Sequence, residues 1–206
     1  YEAIFTKRKE SFISLYDASE QQAVRELLQR ESEPVVKLLQ ENAYLEMLYQ
    51  AKCNADARSL LLAYAEKSDL DHLALTEYGL TRLVVTPADN TVIPPVEAVY
   101  ESDERLRERC ILSFDGMNTA GSANAYRYFT LSADGRVDGI KVKSDEATPC
   151  FLDIVITQVD SENGTASEEL IQIVQAALDP DTVRPVGDRP TVKSSIATNY
   201  QIEAVL

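Results

Sequence analysis

The sequence predicts an α+β chain: an N-terminal helical region with one long helix, then a domain ordered helix-helix-strand-strand-helix-strand. Three observations predict it. Apolar residues recur at helical spacing from Ile4 to about Tyr78. Prolines and turn-forming residues interrupt every period between Thr86 and Asp103. Beyond Asp134-Gly135 the apolar spacing becomes two. The chain accordingly divides into a helical, bundle-forming region over 1–85, a proline-rich connector over 86–100 and an α+β domain over 101–206.

The first helix is expected from Glu2 to about Tyr16, with Ile4, Phe5, Phe12 and Leu15 on its apolar face. A second fits Glu20 to Arg30, with Val24, Leu27 and Leu28 inward. Pro34 suits the first turn of a new helix, where its missing N–H costs nothing, and Ser32 is placed to cap it. Leu38, Leu45, Leu48, Ala55 and Leu62 follow at spacings of 7, 3, 7 and 7, a seam suited to helix-on-helix packing through to about Ala65. Such a helix is about 45 Å long at 1.5 Å per residue, and it has more apolar length than two short helices can cover. The seam either packs on those helices or waits for helices of other chains, and the second use is favoured. Ser68 or Asp69 then caps a short helix, Leu70 to Tyr78, which Gly79 closes in a left-handed conformation with Leu80 as the apolar contact.

Past the connector, Ser102 caps a helix with Leu106, Cys110 and Phe114 inward, Asp115-Gly116 turns the chain, and Thr119 begins a helix reaching Phe129 or Leu131. Val137–Val142 and Phe151–Val159 read as strands, the second nearly all apolar and therefore central. Thr165-x-x-Glu168 is a capping box opening a helix with Leu170, Ile171, Val174, Ala177 and Leu178 on one face, stopped by Pro180. A last strand follows Arg189-Pro190. Tyr200, Ile202, Ala204 and Leu206 still alternate at the final residue, which leads to the expectation that the natural protein continues.

Composition narrows the function. The chain has 206 residues, 45% of them apolar, and its longest apolar runs fall far short of the roughly 20 residues that cross a bilayer. Thirty-four acidic against 20 basic residues give a formal charge of −14, which repels phosphate backbones and leaves basic protein surfaces as partners. Cys53, Cys110 and Cys150 form no C-x-x-C pair, so no zinc or dithiol motif is present, and a reducing compartment fits. The single histidine, His72, has to serve any histidine-based chemistry.

The order of local signals resembles that of the baseplate J-like proteins of contractile phage tails. It is carried by Glu31-Ser-Glu-Pro-Val-Val-Lys-Leu-Leu-Gln-Glu-Asn-Ala-Tyr44, Leu62-Ala-Tyr-Ala65, Ser68-Asp-Leu-Asp71, Gly79-Leu-Thr-Arg82 and Thr86-Pro-Ala-Asp89. It continues through Glu101-Ser-Asp-Glu-Arg-Leu-Arg-x-Arg109, Thr119-Ala-Gly121, Ala125-Tyr-Arg127, Ser132-Ala-Asp-Gly-Arg-Val137, Val183-Arg-Pro185, Asp188-Arg189 and Asn199-Tyr-Gln-Ile202. Two positions depart from the family's pattern: Lys67 stands where glycine is expected and Ser122 where proline is expected. The resemblance implies a structural wedge subunit of a phage, prophage or tailocin baseplate, in the virion tail, assembled in the bacterial cytoplasm, and a missing C-terminal domain beyond Leu206. Its implied partners are other wedge subunits, another copy of itself and a small sheath-initiating baseplate protein, with no nucleic acid, membrane or cofactor. The seam residues Leu38, Leu45, Leu48, Ala55 and Leu62 are the expected partner interface.

Competing readings rest on single features. Asp69, Asp71 and His72 can be drawn as a metal site, but Asp69-x-Asp71 lacks the glycine and distal glutamate of a calcium loop, and a helix cap is the simpler reading. A tail hydrolase needs two carboxyls across a sugar-sized cleft, and no local context singles out a pair. Gly116 to Ser122 echoes a phosphate cradle without the Gly-Lys-Ser/Thr ending. Arg82, Arg184 and Arg189 are able to pair with a partner's carboxylates or within the chain. The readings carried forward are a non-catalytic baseplate subunit, a carboxylate-pair hydrolase of the tail and a host helical adaptor.

Overall fold

A computed structural model describes residues 1–117, 121–198 and 201. It forms two compact units, 1–64 and 65–206. In the first, α1 (Glu2–Ile13), α2 (Gln21–Leu27) and α3 (Pro34–Ser59) surround a small core of Phe5, Ile13, Leu28, Val36, Leu39 and Ala43. Arg8 to Glu46 (2.6 Å) and Arg25 to Glu10 (2.7 Å) pair the helices at the surface. α1 ends three residues before the expected Tyr16, so Leu15 leaves the apolar face and is exposed, while Ile13, absent from the expected face, is buried. Leu27 is also exposed rather than inward, and Leu28 carries the contact of α2.

α3 is 26 residues long, about 39 Å at 1.5 Å per residue, and it stops at Ser59 rather than near Ala65. No glycine or proline signals this end. The chain tightens into successive turns, with the Leu61 N–H on the Arg58 carbonyl (2.9 Å) and the Tyr64 N–H on that of Leu61 (2.9 Å). Pro34 does occupy the first turn, but the residue preceding the helix is Glu33, and no side chain caps it; Ser32 does not.

The second unit begins at Ala65, whose carbonyl accepts a hydrogen bond from Arg107 Nη2 (2.7 Å). α4 (Lys67–Tyr78) starts earlier than expected. Its first N–H, that of Lys67, is capped by the Asp103 carboxylate (2.9 Å) from far along the chain rather than by Ser68 or Asp69. Lys67 has φ 50°, the left-handed region that favours glycine, at one of the two positions that depart from the family pattern. Gly79 closes α4 at φ 67°, with the Leu80 N–H on the Ala74 carbonyl (2.9 Å) and Leu80 buried.

The stretch read as a connector contains structure. β1 (Val84–Thr86) and β2 (Val99–Tyr100) pair antiparallel, and an isolated bridge joins Asp89 to Val96. The compact units themselves divide at 64/65. Ion pairs of Arg82 with Asp71 and Asp103, and the buried pair of Glu101 with Arg109, hold the residues that flank the ribbon to α4 and to α5 (Asp103–Leu112).

Ser102 caps α5, accepting from the Arg105 N–H (3.3 Å). Leu106 and Cys110 are buried as expected, whereas Phe114 lies beyond the helix, exposed, with its ring edge-on to Tyr78. Asp115–Met117 is a single 3-10 turn. Thr119 lies outside the described residues; α6 (Ala123–Ala133) begins later than expected, capped by Ser122 Oγ on the Ala125 N–H (3.1 Å). Likewise α7 (Glu168–Leu178) is capped by Ser167 rather than Thr165, whose hydroxyl lies 3.3 Å from that of Ser161.

β3 (Val137–Asp145), β4 (Thr148–Gln158) and β5 (Arg189–Ser194) form a sheet in the order β3-β4-β5, β4 central, antiparallel to β3 and parallel to β5. α7 is the crossover helix that a parallel pair requires. Leu152, Ile154 and Ile156 alternate toward a core closed by Tyr126, Leu131, Leu170, Val174, Leu178 and Val192. The alternation over Tyr200–Leu206 lies outside the described residues apart from Gln201.

Candidate functional site

α3 has two apolar faces. Val36, Leu39 and Ala43 form the buried one. At about 100° per residue the seam of Leu38, Leu45, Leu48 and Ala55 falls on the opposite side of the helix. The leucines there are 55%, 54% and 46% exposed. Tyr44 and Tyr49 add exposed rings beside them, which the heptad count missed because it followed leucine and alanine alone. Leu62 does not belong to this face: it lies beyond the end of α3 in the turns leading to Ala65, and is half-buried. Exposed leucines ranged along several turns of one helix form a patch that isolated surface leucines do not, and such patches mark contact surfaces.

The remaining charged candidates are engaged within the second unit. Arg82 donates to Asp71 (2.8 Å), to Asp103 (2.7 Å) and to the Glu101 carbonyl (2.7 Å). Burial lowers its basicity, but the two carboxylates more than restore it. Asp103 is held below the usual carboxylate range, chiefly by the Lys67 N–H and also by Arg82. Beneath this cluster lies a buried pair that residue spacing did not reveal. The wholly buried Glu101 carboxylate binds Arg109, and also accepts from the Leu83 N–H (2.9 Å). Arg109 reaches on to the Thr81 carbonyl (3.2 Å) and Ser132 Oγ (3.3 Å). Ser102-x-x-Arg105-x-x-x-Arg109 with Glu101 at its head was a legible helix start; that Glu101 points inward depends on β2 pairing with β1.

Arg184 donates to the Asp179 and Asp188 carbonyls (2.9 and 3.3 Å), and Arg189 to those of Val186 and Asp188 (2.8 and 3.0 Å). His72 lies exposed on α4, its carbonyl accepting from Thr76 Oγ1 (2.9 Å), while neighbouring Asp71 is taken by Arg82. Among the described residues no three His, Cys, Asp or Glu side chains converge as metal ligands would, and no helix is long and apolar enough to cross a membrane. Cys53 and Cys150 are exposed; Cys110 is buried, which raises its thiol pKa. Of the Gly116–Ser122 segment, residues 118–120 lie outside the described residues. Gly121, at φ 74°, packs against Pro185 and Asp188, and the latter accepts from the Tyr126 hydroxyl (2.8 Å).

Two family models match the chain, the first of them across the 64/65 division between the compact units. Residues 31–89 match the Baseplate J-like N-terminal domain, and residues 118–194 match the Baseplate J-like central domain. Over all 206 residues the chain is 46% identical to Baseplate protein J of Escherichia phage P2, of which it spans 67%.

Proposed function

The chain belongs to the baseplate J-like family, and from that premise we propose that it serves as a wedge subunit of a contractile tail, joined to its neighbours through the outward face of α3. It is a structural baseplate subunit. The observation that carries the finer reading is the exposure of Leu38, Leu45 and Leu48 opposite the stripe that α3 buries against α1. Helices of other chains supply the missing partner: a second copy, another wedge protein and a small sheath-initiating protein. The role is mechanical rather than catalytic, the place of action is the tail, and assembly proceeds in the bacterial cytoplasm.

The test is co-expression of the full-length protein with the other baseplate proteins of its phage, followed by native mass measurement. Wild type should co-purify in a multi-chain particle. Leu45→Lys with Leu48→Lys should stay folded and lose the particle, since each leucine contributes about 1.5 to 3 kcal/mol on burial and a charge in the seam adds a desolvation cost. Undiminished assembly by the folded variant places the interface elsewhere.

A further inference from the structure

The second unit carries a groove that shares no residue with the α3 face. It has a volume of about 370 Å³ and runs between the β1–β2 ribbon, the first turns of α5, the start of β3 and the residue that follows β4. Its walls are apolar: Val85, Val99, Tyr100 and Val159, of which the last three are largely exposed. Its rim is acidic, with Glu104, Glu108 and Asp138 around the valines. Glu108 is shared with Arg127 (2.5 Å). On the floor, Glu101 Oε2 and Arg105 Nε stand 3.6 Å apart, and neither has a hydrogen-bond partner. Arg105 is turned to other work, its Nη2 donating to the Leu131 and Asp134 carbonyls (3.4 and 3.1 Å). Of the four lining carboxylates, Glu101 is paired with Arg109 and Glu108 with Arg127, while Glu104 and Asp138 make no ion pair among the described residues.

We propose that this groove receives an arginine or lysine side chain presented by another protein subunit. Apolar walls under an acidic rim match a side chain with a long aliphatic stem and a cationic head, which buries the stem and leaves the head among carboxylates. An apolar occupant leaves the Glu104 and Asp138 carboxylates desolvated without a cation, and an acidic one is repelled. The formal charge of −14 on the whole chain steers basic surfaces toward it. Gly135 keeps the ribbon in place over the groove: a Cβ there would overlap the Val84 carbonyl, so the ribbon rests directly on the turn that leads into β3.

The test is methyl NMR of the 206-residue chain titrated with the peptide acetyl-Val-Arg-Val-amide, its citrulline counterpart and spermidine. The arginine peptide should shift the Val85, Val99 and Val159 methyls saturably, and the citrulline peptide should bind far more weakly. Glu104→Gln with Asp138→Asn should weaken the arginine peptide about tenfold, the factor that two exposed ion pairs supply together. The Ile154 and Leu170 methyls, in the core, report that the variant is folded. Equal binding of the citrulline peptide, an unaffected double variant, no shift at millimolar peptide, or tighter saturation of the same methyls by spermidine each overturns the proposal, the last by making the groove a polyamine site.

Discussion

The Lys67 backbone N–H donates to Asp103 Oδ2 at 2.9 Å, so the first turn of α4 is capped by the first residue of α5. The bond joins two residues 36 positions apart, and it holds a lysine whose φ is 50°. Gly79 stands at φ 67° at the other end of the same helix. The two left-handed positions that bracket α4 are therefore filled by residues of opposite suitability.

Lys67→Gly should stabilise the second unit by about 0.5 to 1 kcal/mol, because it relieves a left-handed side chain and keeps the capping N–H, at some cost in unfolded-state entropy. Gly79→Ala should cost about 1 kcal/mol, although open space surrounds it. Urea unfolding of both variants checks the pair of signs; a destabilised Lys67→Gly removes the argument from strain.

Asp103 also gives the second unit a pH dependence. Its folded-state pKa lies below the unfolded value, so the unfolded chain binds more protons in acid. The stabilisation is present above the ordinary carboxylate pKa of 3.8 and is lost as pH falls through the lower folded value. Asp103→Asn should lower stability at pH 7 and flatten the decline between about pH 5 and pH 2. Thermal melts across that range decide it.

Arg109→Met should cost about 3 to 5 kcal/mol, since it leaves the buried Glu101 carboxylate without its main cation. Glu101→Leu combined with Arg109→Met should recover part of that loss, because the carboxylate and its main cation leave together while Arg105 loses the carboxylate 3.6 Å away. Chemical denaturation of the single and double variants measures the difference.

The two faces of α3 should respond in opposite ways. Leu39→Ala, in the small core, should cost about 2 to 5 kcal/mol of stability in the first unit. Leu45→Ala, on the outward face, should stay within about 0.5 kcal/mol and instead weaken assembly. Calorimetry on the isolated chain, set beside the yield of baseplate particles, separates them.

Local chemistry made most elements legible. Pro34 set the start of α3, Gly79 the end of α4, Ser102 the cap of α5, and the period of two placed β3 and β4 with β4 central. These signals act within a few residues, so a linear reading captures them. The outward seam was legible too, as a 7-3-7 spacing of leucine on a helix. Tertiary structure alone decided which face of α3 was left uncovered, because Val36, Leu39 and Ala43 make an equally regular stripe and only the positions of α1 and α2 choose between them. It also ended α3 at Ser59, formed a ribbon from a stretch rich in proline, and turned Glu101 inward onto Arg109. The ribbon and the inward turn of Glu101 depend on partners outside the local stretch, Tyr100 for Val84 and the Leu83 N–H for Glu101, and the energy of such contacts appears only when folding brings both sides together.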